Sequence, residues 1–193
     1  MQNDTSFARL VSLACHDVRT PLATVHGFAT TLGRGSELAP PADRYVEMIV
    51  AASKQIDELL DELSLAARIE GGRYEPLRRE ADTLALAQAA AERLGDDRVH
   101  VSGEGAVLET DLEAVDRGLS ALVQSVLRHG GLEEVDVSVR GTEIAVEPVT
   151  EASAPVVLGR DLRDLGAAVA VRAIEVLGGS VSVSGRTLTI RLA

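Results

Sequence analysis

Four residues near the start of the chain have types and spacing that can do chemistry: His16, Asp17, Arg19 and Thr20. A neutral imidazole is a good nucleophile near neutral pH, and an acceptor beside it selects the tautomer that leaves the reactive nitrogen free. The surrounding apolar positions, Phe7, Val11, Ala14, Val18, Leu22, Val25, Ala29 and Leu32, recur at helical spacing and mark one buried stripe. At about 100° per residue, His16 lies roughly 200° from both Ala14 and Val18, with Arg19 and Thr20 one turn on beside it. The spacing therefore predicts an imidazole, a guanidinium and a hydroxyl on one solvent-facing patch of helix. Pro21 removes a ladder bond and crowds the carbonyl of Asp17, so a bend is expected next to the histidine.

The elements that must position this patch follow in order. Gly33 to Pro41 is loop chemistry, glycine ending one helix and prolines prefacing the next. Tyr45, Ile49, Ala52, Ile56, Leu59, Leu63 and Ala66 then keep a four-three heptad until Gly71 and Gly72, with the acidic run Asp57 to Glu62 as a solvated face. Two antiparallel helices with such seams cannot satisfy both as a lone hairpin, so a homodimeric four-helix bundle is expected over residues 1–72.

Residues 73–193 have a different texture. Helices are expected over Ala81–Leu94 and Asp111–Arg128, with Asp111 near the positive end of the second. Alternating strands are expected at Val99–Ser102, Val135–Val139, Glu143–Val146, Ser180–Val183 and Thr187–Leu192, the last two after a further helix. Alternation implies one buried and one wet sheet face. The fold class is then α+β: a helical hairpin followed by a two-layer α/β sandwich. Gly130-Gly131 and Gly178-Gly179 read as helix stops.

Composition bounds the rest. A 193-residue chain with 46% hydrophobic content can build real cores, and with 2% aromatics those cores must be Leu, Val, Ile and Ala. A net charge of -11 argues against nucleic acid and an anionic membrane surface. No apolar run approaches the ~20 residues of a bilayer span, and Met1 opens a polar stretch without a signal peptide, so a soluble cytoplasmic chain is expected. The single cysteine, Cys15, allows no intramolecular disulfide and reads as packing. His100 and His129 lack zinc-site spacing, and His26 reads as a flank residue. Little chain precedes Phe7, so no sensory domain is expected before the hairpin.

The string His16-Asp17-Val18-Arg19-Thr20-Pro21-Leu22 resembles the H-box of the dimerisation and phosphotransfer domain of two-component histidine kinases, and LSLAARIEGGR at the end of the second helix is similar to the same domain. The resemblance implies that His16 accepts the phosphoryl group, that Asp17 steers its nitrogen as acid or base, and that Thr20 orients water when phosphate is removed from a receiver. Arg19 either assists at the transferred group or is a solvated helix charge.

The order of later elements resembles the kinase ATP-binding domain, of the type shared with Hsp90, gyrase and MutL. Its boxes are degenerate. Ser125 stands where the family has a magnesium-chelating asparagine, although Arg128 and His129 fit the basic positions that follow. Pro148 and Val149 stand where an adenine-binding aspartate is expected. Asp164 replaces a glycine beside Gly166 at a helix start that would hold polyphosphate, and the segment from Val149 to Asp164 is short for a glycine-rich lid. Four departures of about 1.4 kcal/mol each lower nucleotide affinity roughly ten-thousand-fold if they add.

The expectation that follows is histidine phosphotransfer between response-regulator receiver domains through His16, with receiver phosphatase activity as a variant and no bound cofactor. An active soluble kinase using ATP and Mg, or a non-catalytic module that docks on receivers or kinases, are the alternatives.

Overall fold

The computed structural model describes residues 5–35, 41–95 and 97–193, with the side chains of 5–7, 9 and 35 left aside. Residues 36–40 of the expected loop, and the Phe7 side chain of the first stripe, lie outside the described residues. The chain divides into two compact units, Met1–Tyr74 and Glu75–Ala193.

The first unit is a hairpin of two long helices, α1 (Thr5–Gly35) and α2 (Ala42–Glu70). Helix α1 runs unbroken through Pro21. Among the described residues of the two heptad stripes only Ala29 is buried, so the helices meet chiefly elsewhere. They pair through a neighbouring face carrying Ala8, Cys15 and Ala29 on α1 and Ser53 and Ala67 on α2, all buried. Small side chains let the axes approach, and the polar members bond within their own helix: Ser12 Oγ donates to the Ala8 carbonyl and Ser53 Oγ to that of Ile49. His26, expected at a flank, is half-buried.

The stripes themselves face outward in the single chain. Val18, Val25, Leu32, Tyr45, Ile49, Ile56, Leu59 and Leu63 are 38 to 58% exposed. Periodicity correctly marks an apolar surface, but one that a single hairpin leaves uncovered. Covering the rest of each side chain would contribute on the order of 1 kcal/mol, hence several kcal/mol per protomer.

The second unit is an α+β sandwich. A five-stranded sheet has the order β2-β4-β5-β7-β6, formed by β2 (Val99–Gly105), β4 (Val135–Gly141), β5 (Glu143–Glu147), β6 (Ser180–Ser184) and β7 (Thr187–Arg191). Among the described residues only β2 and β4 pair in parallel. Val135, Val137, Val139, Ile144, Val146, Leu188 and Ile190 are buried in alternation with wetter neighbours. Helix α3 (Thr83–Leu94) packs on β2 and β4, α6 (Leu165–Val176) on β6, and α4 (Leu112–Gly130) between α3 and α6. Val115, Leu119, Leu122 and Val126 carry the buried stripe of α4.

Two strands were not expected. β1 (Arg78–Asp82) and β3 (Val107–Asp111) form a separate antiparallel ribbon, so the first sandwich helix starts at Thr83 rather than Ala81. The ribbon ends where the helices begin. Asp82 closes β1 and caps α3 through the Ala85 N–H, and Asp111 closes β3 and caps α4 through the Ala114 N–H. With Asp164 capping α6 through Ala167, each of these three helices starts with an aspartate that satisfies one free N–H.

Candidate functional site

His16 stands on the outer surface of α1, its side chain 79% exposed. Its Nδ1 lies 3.3 Å from Asp17 Oδ1. A carboxylate can only accept, so Nδ1–H donates, and in the neutral ring this leaves the lone pair on Nε2. Thr20, one turn on, is exposed as well. The imidazole and the hydroxyl of the expected patch thus share one exposed helix surface, with the Asp17 carboxylate beside the ring.

Arg19 is placed differently. Its Nε donates to Asp57 Oδ1 at 3.1 Å and its Nη2 to Asp61 Oδ1 at 2.6 Å, both on α2. It is therefore not a solvated helix charge, and two members of the acidic run are not a simple solvated face. The three form a fork-shaped clamp across the hairpin, one turn from His16. Cys15 is buried between the helices. Further along, a recess of about 650 Å³ opens between Ala29 and Gly33 on α1 and Val46 and Val50 on α2, rimmed by Arg34, Asp43, Glu47 and Lys54.

In the second unit, the box positions converge on the start of α6. Asp164 is its N-cap: Oδ1 accepts from the Ala167 N–H at 3.1 Å, and Oδ2 lies 3.1 Å from His129 Nε2 and 3.9 Å from Arg128 Nη1. Both basic residues come from the last turn of α4. The carboxylate thus lies where a helix start and two basic side chains would receive an anion, and it is 12% exposed. Gly166 falls in the first turn of α6. Ser125, inside α4, is fully buried, and its hydroxyl has no partner.

Pro148 follows β5 directly. The chain after it folds inward: Val149 is tied to the Arg186 carbonyl, Thr150 and Ser153 bond one another, and a four-residue helix α5 (Ala154–Val157) lies against α4 and α6. Val149, Ser153, Val156 and Val157 are at most 2% exposed. This segment behaves as core. Its sequence signal was the valine content of Pro148 to Leu158, which suits packing better than a mobile lid. Among the described residues no His/Cys/Asp/Glu group is arranged to hold a metal ion, and no helix is long and apolar enough to cross a membrane.

Residues 8–72 match the family model of the His Kinase A (phospho-acceptor) domain. No curated protein matches the sequence. Among solved structures, the histidine kinase AdeS of Acinetobacter baumannii is 15% identical with a TM-score of 0.61, covering 92% of this chain and 97% of that one. Full-length ShkA in complex with AMPPNP is 17% identical with a TM-score of 0.68, over 94% of this chain and 44% of that one. The ATP binding domain of PrrB from Mycobacterium tuberculosis is 22% identical with a TM-score of 0.50, over 60% and 96%. At these identities the likeness is one of fold. The phospho-acceptor domain, a dimerisation domain in this family, suggests a homodimer, in keeping with the uncovered stripes. Over residues 8–72 the chain is similar to the His Kinase A (phospho-acceptor) domain, and its fold is similar to that of solved two-component histidine kinases.

Proposed function

We propose that this chain is a dimeric histidine phosphotransfer protein, taking a phosphoryl group from an aspartyl-phosphate receiver onto His16 and passing it to a second receiver, without a nucleotide of its own. In the first step the Nε2 lone pair attacks phosphorus and the P–N bond forms. The acyl P–O bond breaks, and its electron pair leaves with the receiver's carboxylate. The ring proton stays on Nδ1, held by Asp17. The second step reverses these events on another carboxylate. Such transfer needs mainly alignment and charge stabilisation. The recess between α1 and α2 offers a receiver an apolar floor with a charged rim on the same hairpin.

One observation carries the choice of phosphotransfer over kinase activity: the Asp164 carboxylate at the start of α6, bonded to Ala167 and His129. A polyphosphate approaching that helix start would meet a fixed negative charge and an N–H already used. The fully buried Ser125 and the core packing of Val149, Val156 and Val157 argue the same way, so these residues fit neither ATP nor its magnesium.

The test is to supply the full chain separately with a labelled phospho-receiver and with labelled ATP plus magnesium. Label on His16 from the receiver alone is the expected result. Label from ATP would restore the kinase reading, and a His16→Gln protein that is still labelled would end the phosphoacceptor assignment.

A further inference from the structure

We propose that Arg19 is a counter-ion shared between two positions: it clamps α1 to α2 through Asp57 and Asp61 while His16 is bare, and turns to the phosphoryl group when His16 is loaded, releasing the clamp. The proposal rests on His16 as phosphoacceptor and adds a mechanical consequence of loading.

The geometry supplies both halves. Arg19 lies three residues beyond His16, a spacing at which helical side chains are neighbours. Among the described residues its guanidinium is held by two carboxylates that are themselves partly solvated, with side-chain exposures of 54% for Asp57 and 36% for Asp61. Such pairs are easily exchanged. A phosphoryl group brings nearly twice the charge of one carboxylate and three acceptor oxygens, which suit the planar fork of arginine.

The charge around the site is mostly negative. Asp17, Asp57, Glu58, Asp61 and Glu62 all belong to the neighbouring turns of the hairpin. The other cations on this part of α2, Lys54 and Arg68, stand three and seven residues along the helix from Asp57 and Asp61 respectively. A phosphoryl group on Nε2 would enter an acidic field in which Arg19 is the cation one turn away. Once Arg19 has turned to it, the bonds from Arg19 to Asp57 and Asp61 across the hairpin are given up, and the cross-link between α1 and α2 with them.

The experiment loads the full chain chemically with phosphoramidate. Its P–N bond breaks, ammonia leaves, and the phosphoryl group is bonded to Nε2, so neither a receiver nor ATP is needed. Mass spectrometry counts the phosphate on His16, and two readouts follow it: the Arg19 Nε–H resonance, assigned by its loss in Arg19→Lys, and amide exchange over residues 53–65. The expected result is a shifted Arg19 signal and exchange raised roughly two- to fivefold, the size of losing a half-exposed ion pair. In Asp57→Asn/Asp61→Asn, exchange should already stand at the raised level and not rise further on loading. Loaded His16 with an unchanged Arg19 signal overturns the proposal alone, as does an equal rise in the Asn variant. Failure of phosphoramidate to load so exposed a histidine overturns the phosphoacceptor reading and the proposal with it.

Discussion

His129 and Asp164 are 35 residues apart in the chain, and their side chains meet with Nε2 3.1 Å from Oδ2, where the last turn of α4 reaches the first turn of α6. The carboxylate does three things at once. It caps a helix, accepts from a histidine N–H, and draws Arg128 to 3.9 Å. A protein group thus supplies internally what a bound anion would otherwise supply to these donors.

Substitution at Asp164 separates these roles. Asn caps nearly as well as Asp, so Asp164→Asn should lose chiefly the charge-assisted bond to His129, about 1 kcal/mol, while Asp164→Ala loses the cap too and should cost about 2 to 3 kcal/mol. Urea denaturation of Asp164→Asn, His129→Ala and the double variant gives the cycle. A coupling energy near zero between positions 129 and 164 would mean the contact is incidental.

Ser125 should be better replaced by alanine. Its hydroxyl is fully buried and unpartnered, and removing such a group recovers desolvation of about 1 kcal/mol. Ser125→Asn inserts a larger polar side chain into the same packed space and should destabilise by roughly 1 to 3 kcal/mol. Thermal melts of the two variants moving in opposite directions is the expected outcome. Magnesium-dependent stabilisation of Ser125→Asn would contradict the reading of this position as closed core.

How much of this was legible beforehand depended on the range of the interaction. His16, Arg19 and Thr20 are local, and helical spacing alone puts them on one side of α1. The heptads of α1 and α2 were legible as apolar, yet periodicity identifies a surface and not its partner, so although Ala29 and Cys15 were read as buried, their joining Ala8 in one face against α2 was not legible. Arg19 meets Asp57 across 38 residues, a distance over which no local pattern reports. The β1–β3 ribbon escaped notice because its strands carry Arg78, Arg79, Glu80 and Glu109, and most of β1 is exposed, which erases the alternation that marks a half-buried strand. Asp164 was legible as an oddity, and only the fold revealed that His129 had been matched to it.

The uncovered stripes give a prediction about assembly. Ile56 is 43% exposed in the single chain and sits mid-seam on α2. Ile56→Asp would place a carboxylate in a dimer interface at a cost of several kcal/mol, and the dimer dissociation constant should rise at least about a hundredfold. Sedimentation equilibrium should report monomer, with the far-ultraviolet spectrum of the sandwich retained. A dimer of unchanged affinity would move the interface away from these stripes.

Thr20 separates transfer from phosphate removal. It plays no part in forming the P–N bond in the scheme above, because the nucleophile is His16 Nε2 and its orienting partner is Asp17. Its exposed hydroxyl, one turn from the imidazole, can instead hold a water against a receiver's aspartyl phosphate. Thr20→Ala should then leave labelling of His16 by a phospho-receiver within about twofold of the parent, while any acceleration of receiver dephosphorylation falls by roughly tenfold or more, the loss expected for a positioned proton-transfer or orienting group. Asp17→Asn should do the reverse. It frees the ring to adopt the other tautomer, in which Nε2 carries the proton and is a poor nucleophile, so transfer should slow by at least about tenfold. Equal losses of both activities in both variants would mean that the two residues act only by holding the helix surface together.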